Sequence, residues 1–295
     1  MTAGSPRHGP TRLLVGVTGS PHAPAVLRAA MAISRTRDAE QIFVHVGRDS
    51  EPTRKRLAEV FAQGNVALDP ESLLVRNGKP DSVILNAARE RDVDMIVIGA
   101  LERDSVVREL IGSTARRVAR RARCSVFLLV GPVDEFAPWR NLVASVRYDE
   151  ASAELLGWLA ALAKPSPRAR IHVIREYDPY GGVMVEEDAR GGISAGENPG
   201  MRAAEEKFLL ANFLEGIDMG PVPVTSQCLV GRSGAELLRY SLEVEADLIA
   251  LTAPDRALGL WDRFFGHPVE AILQRLPCTL LIHRGGAMTS GPAER

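Results

Sequence analysis

Two segments of this 295-residue chain, about half its length apart, match nearly position for position. Asp94-Met95-Ile96-Val97-Ile98-Gly99 is echoed by Asp247-Leu248-Ile249-Ala250-Leu251-Thr252. Cys124-Ser125-Val126-Phe127-Leu128-Leu129 is echoed by Cys278-Thr279-Leu280-Leu281-Ile282-His283. Between these blocks, Ala115, Val118, Ala119 and Ala122 recur as Val269, Ile272, Leu273 and Leu276. Their i, i+3, i+4, i+7 spacing is the stripe of a helix packed on a sheet. Gly78 and Gly231 share with Asp94 and Asp247 an offset of 153 residues. So many matched points at a nearly constant offset point to a tandem duplication of one fold.

Within each copy, apolar runs alternate with helical patterns. The first predicts strands at 13–17, 42–46, 72–75, 95–98 and 126–130, and helices at 21–34, 51–63, 79–90 and 113–123. The second begins alike, with strands at 142–146 and 171–174 and a helix at 151–163. Near-continuous apolar strands separated by helices give an α/β fold whose parallel sheets are covered on both faces. The expected domains are 12–131 and 139–284, joined by a linker at 132–138, with disordered tails at both ends. His45 and His172 pair at an offset of 127, against 153 at Gly78 and Gly231, which implies an insertion of about 26 residues. It falls at 175–201, rich in Gly, Pro and acids, and its composition predicts a mobile loop.

Composition excludes several classes. Lys+Arg number 36 against 37 Asp+Glu, a net charge of -1 that gives no field to hold nucleic acid or an acidic membrane. The balance hides a net of +4 over residues 1–135 and -5 over 136–295. No apolar run approaches the roughly 18 residues of a membrane span, and no signal-peptide core opens the chain. Three cysteines without C-x-x-C spacing make no disulfide scaffold, so a cytoplasmic protein is expected.

The order of motifs resembles the universal stress protein family in its tandem two-domain form. The first strand runs into a short turn as Leu13-Leu14-Val15-Gly16-Val17-Thr18-Gly19-Ser20. The second ends in Val44-His45-Val46, with Ile171-His172-Val173 as its counterpart, and Gly78 and Gly231 follow the third strands. The family's nucleotide loop is a Gly, two residues, a Gly, nine residues, then Gly-Ser/Thr. Here Gly99-Ala100-Leu101-Glu102 leads, nine residues later, to Gly112-Ser113-Thr114. The resemblance implies Rossmann-like, open five-stranded sheets of strand order 3-2-1-4-5. It also implies a ligand at the switch point between strands 1 and 4. The candidate cofactor-binding residues are therefore Thr18, Val46, Gly99, Gly112, Ser113 and Thr114, with ATP as the candidate ligand of domain 1.

Phosphate chemistry suits the end of this set at 112–114. N–H groups at a helix start, beside a glycine that permits close approach, cradle an anion, and two hydroxyls add donors. A competing reading makes Ser113 or Thr114 a helix cap, worth about 1 kcal/mol. Glu102 departs from the pattern's second glycine and opposes a triphosphate, while Arg103 and Arg108 offset it. Thr18 stands where ATP-binding members carry an Asp that contacts the adenosine. In the second copy Thr252 and Asp255 replace both loop glycines, Arg147 replaces the Asp, and Trp261, Phe264 and Phe265 add bulk. No cofactor is expected there.

Other residues have plainer readings. Arg116, Arg117, Arg120, Arg121 and Arg123 lie opposite an apolar stripe and read as a solvated face, not a nucleic-acid stripe. The histidines lack metal-ligand spacing, so no metal site is expected. Cys124 and Cys278 behave as small hydrophobes, and Ser233 as a loop residue or cap. No nucleophile elbow, P-loop or zinc-protease motif occurs. The expectation is a non-catalytic stress-response or regulatory protein with a degenerate nucleotide site in domain 1. The alternative is an ATP-binding protein with slow ATP hydrolysis in that domain. The resemblance implies that the fifth strands pair as an intramolecular pseudo-dimer, since apolar edges left open aggregate. A homodimer of chains and an unidentified protein partner, for the acidic run Glu186-Glu187-Asp188, complete the expectations.

Overall fold

The computed structural model describes residues 9–100, 111–131, 139–178, 199–231, 234–253 and 268–285. The expected linker, most of the tails, the bulk of the insertion, the loop at 101–110, Ser233 and the aromatic loop at 254–267 lie outside the described residues. In chain order the first half holds β1 (Arg12–Gly16), α1 (Ala23–Ser34), β2 (Glu40–Val46), α2 (Glu51–Gly64), β3 (Leu73–Arg76), α3 (Pro80–Glu90), β4 (Met95–Gly99), α4 (Ser113–Arg121) and β5 (Ser125–Leu129). The second holds β6 (Asn141–Ser145), α5 (Glu150–Ala163), β7 (Arg170–Tyr177), α6 (Pro199–Glu215), β8 (Val224–Val230), α7 (Ala235–Glu243), β9 (Leu248–Thr252), α8 (Pro268–Gln274) and β10 (Thr279–His283). The expected boundaries hold to within a residue or two, except that β7 runs on to Tyr177.

All ten strands form one sheet, in the order β3-β2-β1-β4-β5-β10-β9-β6-β7-β8. Read from either edge, the order within a half is 3-2-1-4-5, as expected. Every neighbour pair within a half is parallel. The two five-stranded sheets meet edge to edge through β5 and β10, which pair antiparallel. Alternate strand residues feed two cores that run through both halves. One face carries Leu13, Val15, Phe127 and Leu281 against α1, α2 and α5. The other carries Leu14, Val126, Leu128 and Leu280 against α3, α4, α7 and α8.

The repeat markers have structural reasons. The Asp94 carboxylate accepts the N–H groups of Thr11 (2.7 Å) and Arg12 (2.9 Å), and Asp247 accepts those of Arg140 (2.8 Å) and Asn141 (2.9 Å). Each Asp pins the start of its half's first strand beside the fourth. Ser50 and Asp149 cap α2 and α5 through the N–H groups of Thr53 and Ser152.

At the seam, Leu281 faces Phe127, flanked by Leu280–Leu128 and Ile282–Val126. An offset of 154 residues makes Leu281 the counterpart of Phe127, so this pair lies on the local two-fold axis. The flanking contacts obey the same symmetry. Thr279 Oγ1 donates to the Val130 carbonyl (2.8 Å) and accepts its N–H (3.2 Å). Ser125, the counterpart of Thr279, accepts the Arg284 N–H (3.1 Å). The buried Arg284 guanidinium then donates to the carbonyls of Ala119 (2.9 Å) and Cys124 (3.2 Å), closing the C-terminus of α4 from the other half.

The structure keeps Arg117, Arg121 and Arg123 on the solvated face expected of the α4 arginines and corrects it at Arg120. Arg120 is turned inward and grips Glu270 of α8 with two bonds, 2.8 and 2.6 Å, the side chains 23% and 8% exposed. Arg117 and Arg121 are exposed, yet both reach the buried Asp81 carboxylate at 3.4 and 3.2 Å. The basic run thus works as a set of ties, one of them between the halves. The Arg120 fork also sets a measurable coupling. Arg120→Ala should destabilise the chain by about 3 kcal/mol by stranding a buried carboxylate, and Glu270→Ala by a similar amount. The double variant should lose far less than the sum, as read from a urea-unfolding double-mutant cycle.

Candidate functional site

The carboxyl ends of β1, β2, β4 and β5 open onto a cavity of about 420 Å³ between the starts of α1, α3 and α4. All six residues singled out in the sequence line it: Thr18 beyond β1, Val46 ending β2, Gly99 ending β4, and Gly112, Ser113 and Thr114 opening α4. Sequence reasoning missed Ser20, His22, His45, Pro80 and Ile84, which complete the wall. Pro80 at the first position of α3 was the available signal, since it marks a third helix start at the same sheet edge.

Three helix N-termini facing one cavity bring three positive dipole ends together. Gly112 is the N-cap of α4, and its N–H bonds to the Ala100 carbonyl at 2.8 Å. Ser113 and Thr114 are therefore the first helical residues, and neither is the cap that the competing reading made of them. By helix geometry the N–H groups of this turn have no acceptor within the helix. Gly99 forms the floor, and a Cβ there would meet only Val26 Cγ2, at 3.5 Å. Its lack of a side chain leaves space to the cavity, because the packing behind it does not demand glycine. Gly16 contrasts with it, since a Cβ would come within 2.6 Å of Ile98 Cγ2.

The other end of the cavity is less well provided with groups able to bind a ligand. Thr18 Oγ1 lies 2.8 Å from Ser20 Oγ and accepts the Ser20 N–H at 3.3 Å, so most of its capacity is used within the turn. His45 Nδ1 sits 2.9 Å from the Val17 carbonyl, which can only accept, so that nitrogen carries the proton. In the tautomer this bond selects, Nε2 is the acceptor. Among the described lining residues none is acidic, and His22 and His45 are the only histidines. The helix starts that face the cavity suit negative charge, and no described lining residue supplies a carboxylate to activate a nucleophile.

The second half differs at the counterparts of Thr18, His45 and Val46. Strand register pairs Leu14 with Ile42 and Val44 with Gly16 in the first half, and Val143 with His172 and Ser145 with Ile174 in the second. With β1 and β6 aligned through their common neighbours, Val44 corresponds to Ile174, an offset of 130. The sequence pairing of His45 with His172 is therefore corrected. His45 corresponds to Arg175, His172 to Ile42, and the insertion shortens to 23 residues. Repetition of a His-Val dipeptide in two apolar strands misled the alignment by three positions.

Arg147, at the place of Thr18, pairs with Asp149 at 3.1 Å. Arg175 pairs with Glu206 of α6 at 3.2 Å and lies over the Tyr148 ring, 4.9 Å from its centroid. The Tyr148 hydroxyl donates to the same carboxylate at 2.8 Å, and burial together with that bond pushes its pKa up. Glu176, at the place of Val46, accepts the N–H groups of Gly234 (2.9 and 2.8 Å) and Leu237 (2.8 Å). Burial pushes its pKa up, against the pull of those donors.

The remaining candidates stay structural. Burial pushes the Cys124 thiol up to about 11 and Cys278 up to about 12, leaving neither as a thiolate at neutral pH. Ser125, His283 and Glu154 stand in a row at 3.5 and 3.3 Å, but Ser125 is buried at the β5–β10 seam and holds the Arg284 N–H. Among the described residues no group of His, Cys, Asp and Glu could hold a metal ion, and no helix is long and apolar enough to cross a membrane.

Comparison with known proteins adds to this geometry. The sequence profile of the universal stress protein family matches residues 10–129. Universal stress protein YxiE of Bacillus subtilis (strain 168) is 25% identical over 144 residues, 40% of this chain and 97% of its own. A crystal structure of a functionally unknown protein from Pseudomonas aeruginosa PAO1 matches with a TM-score of 0.66 at 15% identity, over 93% of this chain and 92% of its own. A universal stress protein from Archaeoglobus fulgidus DSM 4304 matches with 0.56 at 14%, over 94% and 97%. These two likenesses are of fold, and they extend over both halves.

The register of β7 has one consequence that pH can read. His172 is buried, its Nδ1 lies 2.9 Å from the Tyr240 hydroxyl and 3.0 Å from Thr225 Oγ1, and its Nε2 has no hydrogen-bond partner among the described residues. Burial, with the charge of Arg170, lowers its pKa. The folded state therefore binds fewer protons than the unfolded one, and stability present above about pH 6.5 is lost as pH falls through the interval below. His172→Gln should shrink the difference in Tm between about pH 7.5 and 5.5. An unchanged difference would assign the acid sensitivity elsewhere.

Proposed function

We propose, for a chain whose residues 10–129 belong to the universal stress protein family, a non-catalytic stress-response role in which the first half binds a phosphorylated nucleotide. ATP is the reference ligand. On this reading the domains are 12–131 and 139–284, and the second serves as the structural partner of the first. The observation that carries the reading is the cavity itself. Its volume falls in the usual range for small-molecule sites, and the start of α4 with Ser113 and Thr114 lies on its wall.

The residues present fit the phosphate end of a nucleotide. Gly99 leaves room for close approach, the first turn of α4 supplies main-chain donors, and Ser113 and Thr114 add hydroxyls. The base and ribose end has Thr18, Ser20, His45 and Val46, with fewer uncommitted groups. Affinity then rests on the phosphates, and analogues shortened at that end should bind more weakly. The absence of a carboxylate among the described lining residues favours retention of the ligand over turnover. Slow ATP hydrolysis is the second outcome of the same test.

Titration calorimetry with ATP and Mg²⁺ should give one site per chain with micromolar affinity, and binding no tighter than about millimolar would remove the reading. Gly99→Ala should leave Tm unchanged, because its methyl meets only an ordinary contact behind, yet weaken binding about tenfold by filling the floor. Release of inorganic phosphate above the buffer rate, lost in the same variant, would turn the assignment from a binding protein to a slow hydrolase.

A further inference from the structure

We infer that Glu176 is a built-in occupant of an anion-binding nest in the second half, an autoinhibitory contact that closes this half to free carboxylate and phosphate groups. The inference follows from comparing what the same places do in the two halves. In the first, Val46, Pro80 and Ile84 form one wall of the open cavity. Strand register makes Glu176 the counterpart of Val46, and the 153-residue offset makes Leu237 the counterpart of Ile84. In the second half these two positions are drawn together by main-chain N–H groups bonding to a carboxylate.

The arrangement exceeds what a helix cap requires. A local Ser, Thr or Asp caps a helix start at the surface and needs no burial. Glu176 comes from a strand 58 residues earlier in the chain, is 8% exposed, and uses both oxygens on Gly234 and Leu237. Burying a carboxylate is costly unless donors replace its water, and three contacts of 2.8–2.9 Å from main chain do so here. The backbone is shaped for the purpose. Gly234 has a φ of +87°, and a Cβ there would come within 3.0 Å of Pro268 main-chain atoms and 2.9 Å of Ala271 Cβ. The first half differs on both sides of this contact: Asp81 stands at the place of Gly234, after Pro80 at the first position of α3, and Val46 at the place of Glu176 has no carboxylate. The second half has gained a nest and the anion that fills it together.

A ligand anion would compete with a carboxylate held at very high effective concentration, so the wild-type nest stays closed to it. Removing the carboxylate should expose the site. In the full chain, Glu176→Ala should lower Tm by about 5 °C or more, since buried donors are left without an acceptor. Sodium formate or inorganic phosphate, at ionic strength matched with chloride, should restore most of that loss in the variant and leave wild type unchanged. Equal Tm in formate, phosphate and chloride would overturn the inference. Should the Ala variant not fold, Glu176→Gln keeps the volume and one acceptor. Hydrogen exchange at Gly234 and Leu237 should then quicken at least tenfold, and unchanged exchange would equally overturn it. Failure of ATP to bind the wild-type chain would remove the first-half reading and leave the formate and exchange results untouched.

Discussion

The antiparallel pairing of β5 with β10 is the contact on which the rest of the molecule depends. Each half alone would end in an apolar fifth strand with its hydrogen-bonding edge open, an aggregation hazard. Joined, they satisfy each other and make the two hydrophobic cores continuous from one half to the other. Because Phe127 and Leu281 face each other across the axis, every contact beside them occurs twice unless the sequence has changed. Thr279 with Val130 and Ser125 with Arg284 are such a pair, and the second has acquired a guanidinium that the first lacks.

Helix α4 carries the consequences of that seam to the cavity. It begins at Gly112 on the cavity wall, holds Glu270 of the other half through Arg120, and ends under the Arg284 side chain. Its N-terminal donors are therefore fixed in place by groups from the second half. A binding site that depends on main-chain N–H groups needs this kind of support, because the donors have no rotamers with which to adjust. The second half contributes to the first site by holding one helix still.

Much of this was legible in the sequence because apolar periodicity and repetition act locally. The alternating strands and helices could be read from patterns within each copy, whereas the order 3-2-1-4-5, the fifth-strand pairing and six residues of the cavity wall came with the family resemblance that the motifs carry. What could not be read were partners far apart in sequence. The α4 arginines have the pattern of a solvated face, and only the approach of α8 across the seam, 150 residues on, turns Arg120 inward. His45 and His172 match as letters, yet an odd shift along a strand moves a side chain to the opposite face. His172 consequently lies buried with Tyr240 and Thr225, while Arg175 takes the place beside the switch point.

The two halves have diverged by exchanging one kind of electrostatics for another. In the first, the sheet edge keeps partial charges, supplied by helix ends and main chain, with no described acid nearby, and the space above them is open. In the second, whole charges occupy the same places: Arg147 with Asp149, Arg175 with Glu206, and Glu176 on the α7 donors. Buried whole charges must be paired, and each pair fills volume and fixes its neighbours. An open cavity lined by helix ends stays available to an outside anion, whereas one lined by paired charges has supplied its own. The greater acidity of the second half, net -5 against +4, includes Asp149, Glu176 and Glu206. The exchange is made at positions that a parallel sheet presents at its carboxyl edge whatever residues stand there.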